Sequence, residues 1–74
     1  MQYDVLIYHD PASGLYIAEV PDLPGCMTQG ATVDDAKANV REAIEGHLAT
    51  LRDLGRDVPQ PSRHLLASID VDVA

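Results

Sequence analysis

The chain has no tryptophan, no phenylalanine and a single cysteine among its 74 residues. With three tyrosines as its only aromatic bulk, any core has to be built from Val, Ile, Leu and Ala. Cys26 has no second cysteine to pair with, so an internal disulfide is excluded. Basic residues are scarce: five Lys and Arg stand against twelve Asp and Glu, a net charge of −7. Such a balance repels nucleic-acid phosphates, so direct nucleic-acid binding is not expected. It suits a basic protein partner through complementary fields and faster encounter, although plain solubility also accounts for it. No apolar run approaches the ~20 residues of a membrane helix, and Met1-Gln2-Tyr3-Asp4 offers no basic segment ahead of an apolar one. No membrane association is expected, and a cytoplasmic location follows by default.

What is present points to one small globular domain over residues 1–74. The apolar share is 46%, which argues against disorder. Below roughly 70–80 residues a lone core rarely supplies more than about 3–5 kcal/mol, so such folds need a staple. A disulfide is excluded and no metal-ligand cluster is evident, which leaves self-association, a homodimer at least.

Residues 3–9, Tyr-Asp-Val-Leu-Ile-Tyr-His, read as a strand. Asp10-Pro11-Ala12-Ser13-Gly14 is a run of turn formers, and a second strand from Leu15 to Val20 completes a hairpin. Pro21, Pro24 and Gly25 interrupt the chain before a short extended piece, Cys26 to Gln29. The first two strands are apolar on both faces: Val5 and Ile7 oppose Leu6 and Tyr8, and Tyr16 and Ala18 oppose Leu15 and Ile17. One helix covers one face only, so the other needs a further cover, most economically a second copy.

Thr32 as N-cap with Asp35 at the capping-box position opens a helix over 33–54. Val33, Ala36, Val40, Ala43, Ile44, His47, Leu48 and Leu51 form its apolar stripe, and Gly55 ends it. Pro59-Gln60-Pro61 stiffens a polar connector. The last segment alternates, with Leu65, Ala67, Ile69, Val71 and Val73 on one face and Ser68, Asp70 and Asp72 on the other, and reads as a fourth strand. The order β-β-β-α-β predicts an α+β fold.

Chemically active groupings are few. His9, His47 and His64 have neither helical metal-site spacing nor a triad arrangement. His47 on an apolar stripe reads as a packed or interface histidine, and His9 and His64 as surface residues beside turns. Cys26 would be a nucleophile only beside a base, and reads as a small buried apolar residue. Asp4, Asp10, Asp22, Asp70 and Asp72 are the carboxylates a Mg²⁺-dependent nuclease would need. The plainer reading of Asp70 and Asp72 is the solvated side of an edge strand. The Gly25–Gly30 stretch lacks the Lys-Ser or Lys-Thr of a phosphate loop.

The segments Tyr16-Ile17-Ala18-Glu19-Val20-Pro21-Asp22-Leu23-Pro24-Gly25-Cys26, Thr28-Gln29-Gly30-Ala31-Thr32 and Asp35-Ala36 resemble the HicB-like antitoxin family. Ala43-Ile44, Leu48, Leu51 and Pro59-Gln60-Pro61 extend the resemblance, which spans roughly residues 3–61. It implies a partial ribonuclease-H-like fold: a three-stranded antiparallel sheet, a helix and a further C-terminal strand, without nuclease activity and assembled as dimers or tetramers. It also implies a partner, HicA, a small basic toxin that cleaves mRNA through a histidine. Family members usually carry a second, DNA-binding domain for autorepression, and 74 residues leave no room for one.

The resulting expectation is a non-enzymatic antitoxin that neutralises a HicA-like toxin by forming a complex. It has no catalytic, cofactor-binding or metal site. The alternatives are a stand-alone HicB-like homo-oligomer without a toxin and, third, a small metal-dependent nuclease using Asp70, Asp72 and Asp4.

Overall fold

Four elements make up the protein in a computed structural model that describes residues 1–73: β1 (Leu6–Asp10), β2 (Leu15–Glu19), β3 (Met27–Gly30) and α1 (Val33–Asp53). The strands form one antiparallel sheet in the order β1-β2-β3, with Leu6 opposite Glu19 and Tyr16 opposite Gly30. This is the expected α+β arrangement of three strands and a helix.

Local chemistry sets each junction. Between β1 and β2, the Asp10 carboxylate accepts from the Ala12 N–H at 3.1 Å and the Ser13 hydroxyl at 2.8 Å. Gly14, at φ +75°, takes the left-handed conformation that closes the turn. Pro21 and Pro24 hand the chain through tight turns, in which Leu23 donates to Val20 and Cys26 to Leu23. The Thr32 hydroxyl accepts from the Asp35 N–H at 3.0 Å and caps α1. At the other end the Arg56 and Gly55 N–H groups reach back to the carbonyls of Leu51 and Arg52, the paired bonds of a Schellman stop with Gly55 as the left-handed residue.

β1 begins three residues later than the sequence reading placed it. Leu6 already faces Glu19, the last residue of β2, and in this register Tyr3–Val5 would have to pair with residues 20–22, where Pro21 turns the chain away. The third strand runs Met27–Gly30 because Cys26 still belongs to the preceding turn. The larger difference is the C-terminal segment. Residues 64–73 form no strand, and Leu65 and Val73 are about nine-tenths exposed. Alternation makes a segment able to pair, but a strand exists only where a neighbour supplies the other half of its ladder.

The core is small. Ala18, Val20, Leu23, Cys26, Ala36 and Val40 are buried, and Leu23 is the only large side chain sealed completely among the described residues. Tyr3, Val5, Ile7, Tyr16, Ala43, Ile44 and Leu48 pack around these six half-buried. α1 lies chiefly over β3 and β2. It comes so near that a Cβ on Gly30 would stand 2.8 Å from the Asp35 carbonyl carbon and collide with the Ala36 backbone. The Asn39 amide donates to the Gln29 carbonyl at 2.8 Å along the same seam. The expected stripe is thus the buried one, except that Val33 at its start stays exposed.

The connector after α1 returns to the start of the sheet and is fastened there. The Tyr3 hydroxyl donates to the Pro59 carbonyl. The Ser62 N–H and hydroxyl donate to Asp22 at 2.7 and 2.8 Å, and the His64 N–H donates to Asp4 at 2.8 Å. The His64 ring lies between two carboxylates, its Nδ1 3.2 Å from Asp4 and its Nε2 3.3 Å from Asp22. Bonds from the His64 backbone and ring hold the Asp4 carboxyl below its ordinary value, and bonds from Ser62, then His64, do the same for Asp22. This clasp joins the N-terminus, the β2–β3 loop and the tail.

Gly30→Ala should lower stability by about 1–3 kcal/mol, because the helix must lift off β3 to admit the methyl group. Thermal melts of the two proteins would measure it, and an unchanged midpoint would contradict the close approach. Val40→Asp places an unpaired charge in the core and should abolish the cooperative melt. The clasp should open in acid. Carboxyls whose folded pKa is depressed stabilise the fold above their unfolded value, and the contribution is lost as pH falls through the folded value. The Ser62 and His64 amide resonances should therefore shift with midpoints below the ordinary 3.8 of an aspartate, whereas midpoints at or above it would show the clasp is not formed.

Candidate protein-binding surfaces

Directly opposite residues of an antiparallel pair share a face. Ile7, Ala18 and Thr28 share one face of the sheet with Tyr16 and Gly30, towards α1. The other face carries Leu6, Tyr8, Leu15, Ile17 and Met27. No element of the chain covers it among the described residues, and Leu6, Tyr8 and Met27 are 42–53% exposed. Its polar components are modest: the Tyr8 hydroxyl donates to Glu19 at 2.9 Å, a bond that raises the phenol's pKa, and Gln29 lies at its edge. Exposed faces of this kind, apolar at the centre with a few satisfied polar groups, are the sort that protein contacts use.

A second recess opens on the helix side. Because α1 sits over β3 and β2, it leaves an apolar groove of about 750 Å³ against β1, floored by Val5, Ile7, Val40, Ile44 and Leu48. β1 is the edge strand on this side, with one row of backbone groups unpaired by any strand.

The residues singled out for chemistry disperse. His9 packs against Tyr16, ring centroids 5.0 Å apart. His47 is half-buried beside Cys26, Gly46 and Leu51. Cys26 is buried, which pushes its thiol pKa up and keeps it protonated, the opposite of what a nucleophile needs. Asp10 spends its oxygens on the β1–β2 turn, where Ser13 and then Ala12 hold its carboxyl below the ordinary value. Asp4 is engaged by His64, while Asp70 and Asp72 stand on the exposed tail. Among the described residues no three His, Cys, Asp or Glu side chains converge as a metal site, and no helix is long and apolar enough to cross a membrane. His64 does meet Asp4 and Asp22, a grouping of surface residues that the sequence does not announce. These residues are 18, 42 and 60 positions apart in sequence and carry no local signal.

Comparison with known proteins agrees with this geometry. Residues 3–72 match the family described as the HicB-like antitoxin of bacterial toxin-antitoxin systems. A UPF0150 protein of Thermoplasma acidophilum is 40% identical over 60 residues, covering 81% of this chain and 86% of that protein. A UPF0150 protein of Synechocystis is 32% identical over 74 residues, covering all of this chain and 89% of its own. Among solved structures, the N-terminal domain of the Burkholderia pseudomallei antitoxin HicB is similar with a TM-score of 0.72 and 41% identity, over 85% of this chain and 73% of that one. The B. pseudomallei antitoxin HicB structure gives 0.76 and 44%, again over 85% of this chain. The chain spans about half of that longer protein, 48% of its length. With a family model matched over nearly the whole chain and solved HicB structures of the same fold at over 40% identity, the chain belongs to the HicB-like antitoxin family.

Proposed function

We propose that this domain is the partner-binding part of an antitoxin that neutralises a HicA-like mRNA-cleaving toxin by forming a complex with it, without chemistry of its own. The observation that carries this reading is the family match over nearly the whole chain, together with 41–44% identity to HicB structures. Physical chemistry supports it in two ways. The net charge of −7 draws in a small basic protein and speeds the encounter. The uncovered sheet face of Leu6, Tyr8, Ile17 and Met27 offers the apolar centre that a lasting contact needs. The domain acts in the cytoplasm, where such a toxin would meet mRNA, and occupies it through protein contact and not through nucleic acid.

Self-association accompanies this role. A core in which Leu23 is the only large sealed side chain among the described residues gains from a second copy, and a homodimer or tetramer is the proposed resting form.

Co-expression with a HicA-like toxin encoded beside this chain should restore growth and yield a complex that survives purification. Absence of both would refute the antitoxin reading. Leu6→Asp and Met27→Asp each place a charge on the exposed sheet face and should weaken the complex at least about tenfold, about 1.4 kcal/mol, with the helical circular-dichroism signal retained. Raising the salt concentration should slow association with the basic partner. Incubation with RNA and Mg²⁺ should give no cleavage, and cleavage removed by Asp72→Asn would favour the nuclease alternative instead.

A further inference from the structure

The tail and the groove are complementary in shape and in patterning. Beyond His64 the chain carries Leu65, Ala67, Ile69, Val71 and Val73 on one side and Ser68, Asp70 and Asp72 on the other, the pattern of a strand with one buried and one wet face. In the isolated chain the apolar side has no cover: Leu65, Ile69, Val71 and Val73 are 74–91% exposed. The groove beside β1 has the opposite property. It is walled by Val5, Ile7, Val40, Ile44 and Leu48, and β1 is the edge strand beside it. The lengths also agree. Nine extended residues, 65–73, span about 30 Å, and the run from Tyr3 to Asp10 spans about 26 Å.

The tail does not enter its own groove. His64 is clasped to Asp4 and Asp22 at the beginning of β1, and Leu65 and Leu66 leave past Val5, Leu6 and Pro21. The molecule measures 50 Å along its longest axis, whereas the 21 residues of α1 account for about 31 Å, so the tail projects from the body. The match to the family runs to residue 72, which makes this segment part of the domain.

We propose that residues 65–73 form the missing fourth strand in trans, each tail pairing with β1 of a second copy and laying its apolar side into that copy's groove between β1 and α1. Each copy gives one strand and receives one, so the exchange closes on itself with two-fold symmetry and leaves no tail or groove open. Asp70 and Asp72 face water in this arrangement, so they are not desolvated. The groove is bordered by Lys37 and Arg41 as well as Asp4 and Glu45. Two basic and two acidic residues balance at this rim, so an entering tail meets no net charge there. The inference deepens the self-association proposed above, is independent of any toxin, and leaves the outer sheet face free.

The experiment uses the whole chain without toxin. Sedimentation of the wild type at micromolar concentration should give a mass of two copies or a multiple of two. Ile69→Asp combined with Val71→Asp, both on the exposed tail, should halve the mass of the dimer with the helical signal intact. In a mixture of isotope-labelled and unlabelled wild-type chains, filtered NOEs should connect the Ile69 and Val71 methyls of one copy to Val5, Ile7 and Ile44 of the other. That readout does not depend on how the variant folds. A monomeric wild type, a variant that keeps the wild-type mass, or tail-to-groove NOEs found only within one copy would each overturn the proposal. The antitoxin reading stands or falls separately, on the toxin co-expression.

Discussion

The seam between α1 and β3 is the contact on which the other features depend. Gly30 has no side chain, and Ala36 and Ala18 present only a methyl group, so the helix backbone rests almost directly on the sheet. That closeness is what allows so few residues to exclude water, since there is little space between the layers to fill. It also fixes where the helix can lie. Drawn down onto β3 and β2, α1 leaves β1 uncovered, and the groove beside β1 is a geometric result of the tight seam on the far side.

The sheet is consequently committed to contact on two fronts. One face lies towards α1, with Tyr16 and Ala18 on the side the helix covers and Ile7 in the groove beside it; the other presents Leu6, Tyr8, Ile17 and Met27 to solvent. Small folds without disulfides or metals have few means of raising stability internally, and burying such a face against another protein is one of them. A scaffold built on turn formers and small packers serves this use, since it shapes surfaces.

Much of the fold could be read from local chemistry. The run Asp10-Pro11-Ala12-Ser13-Gly14 encodes the hairpin because its turn is made by its own side chains, and Thr32 and Gly55 bracket the helix because caps act within a few residues. The two apolar faces of β1 and β2 followed from alternation alone. Two things were not legible. The strand pattern of residues 65–73 states which face would be buried but not by what, and the pairing partner is a non-local fact. The clasp depends on Asp4, Asp22, Ser62 and His64 meeting after the chain has folded; each of these residues taken alone reads as an ordinary surface group beside a turn.

The clasp also decides how the molecule meets mechanical load. A pull on the C-terminus arrives first at His64 and Ser62, whose bonds end on the N-terminal segment and on the loop after β2. Tension is thereby delivered to a corner of the sheet instead of to the end of α1. Load carried along residues 65–73 reaches the helix and its capping turn only after that corner yields.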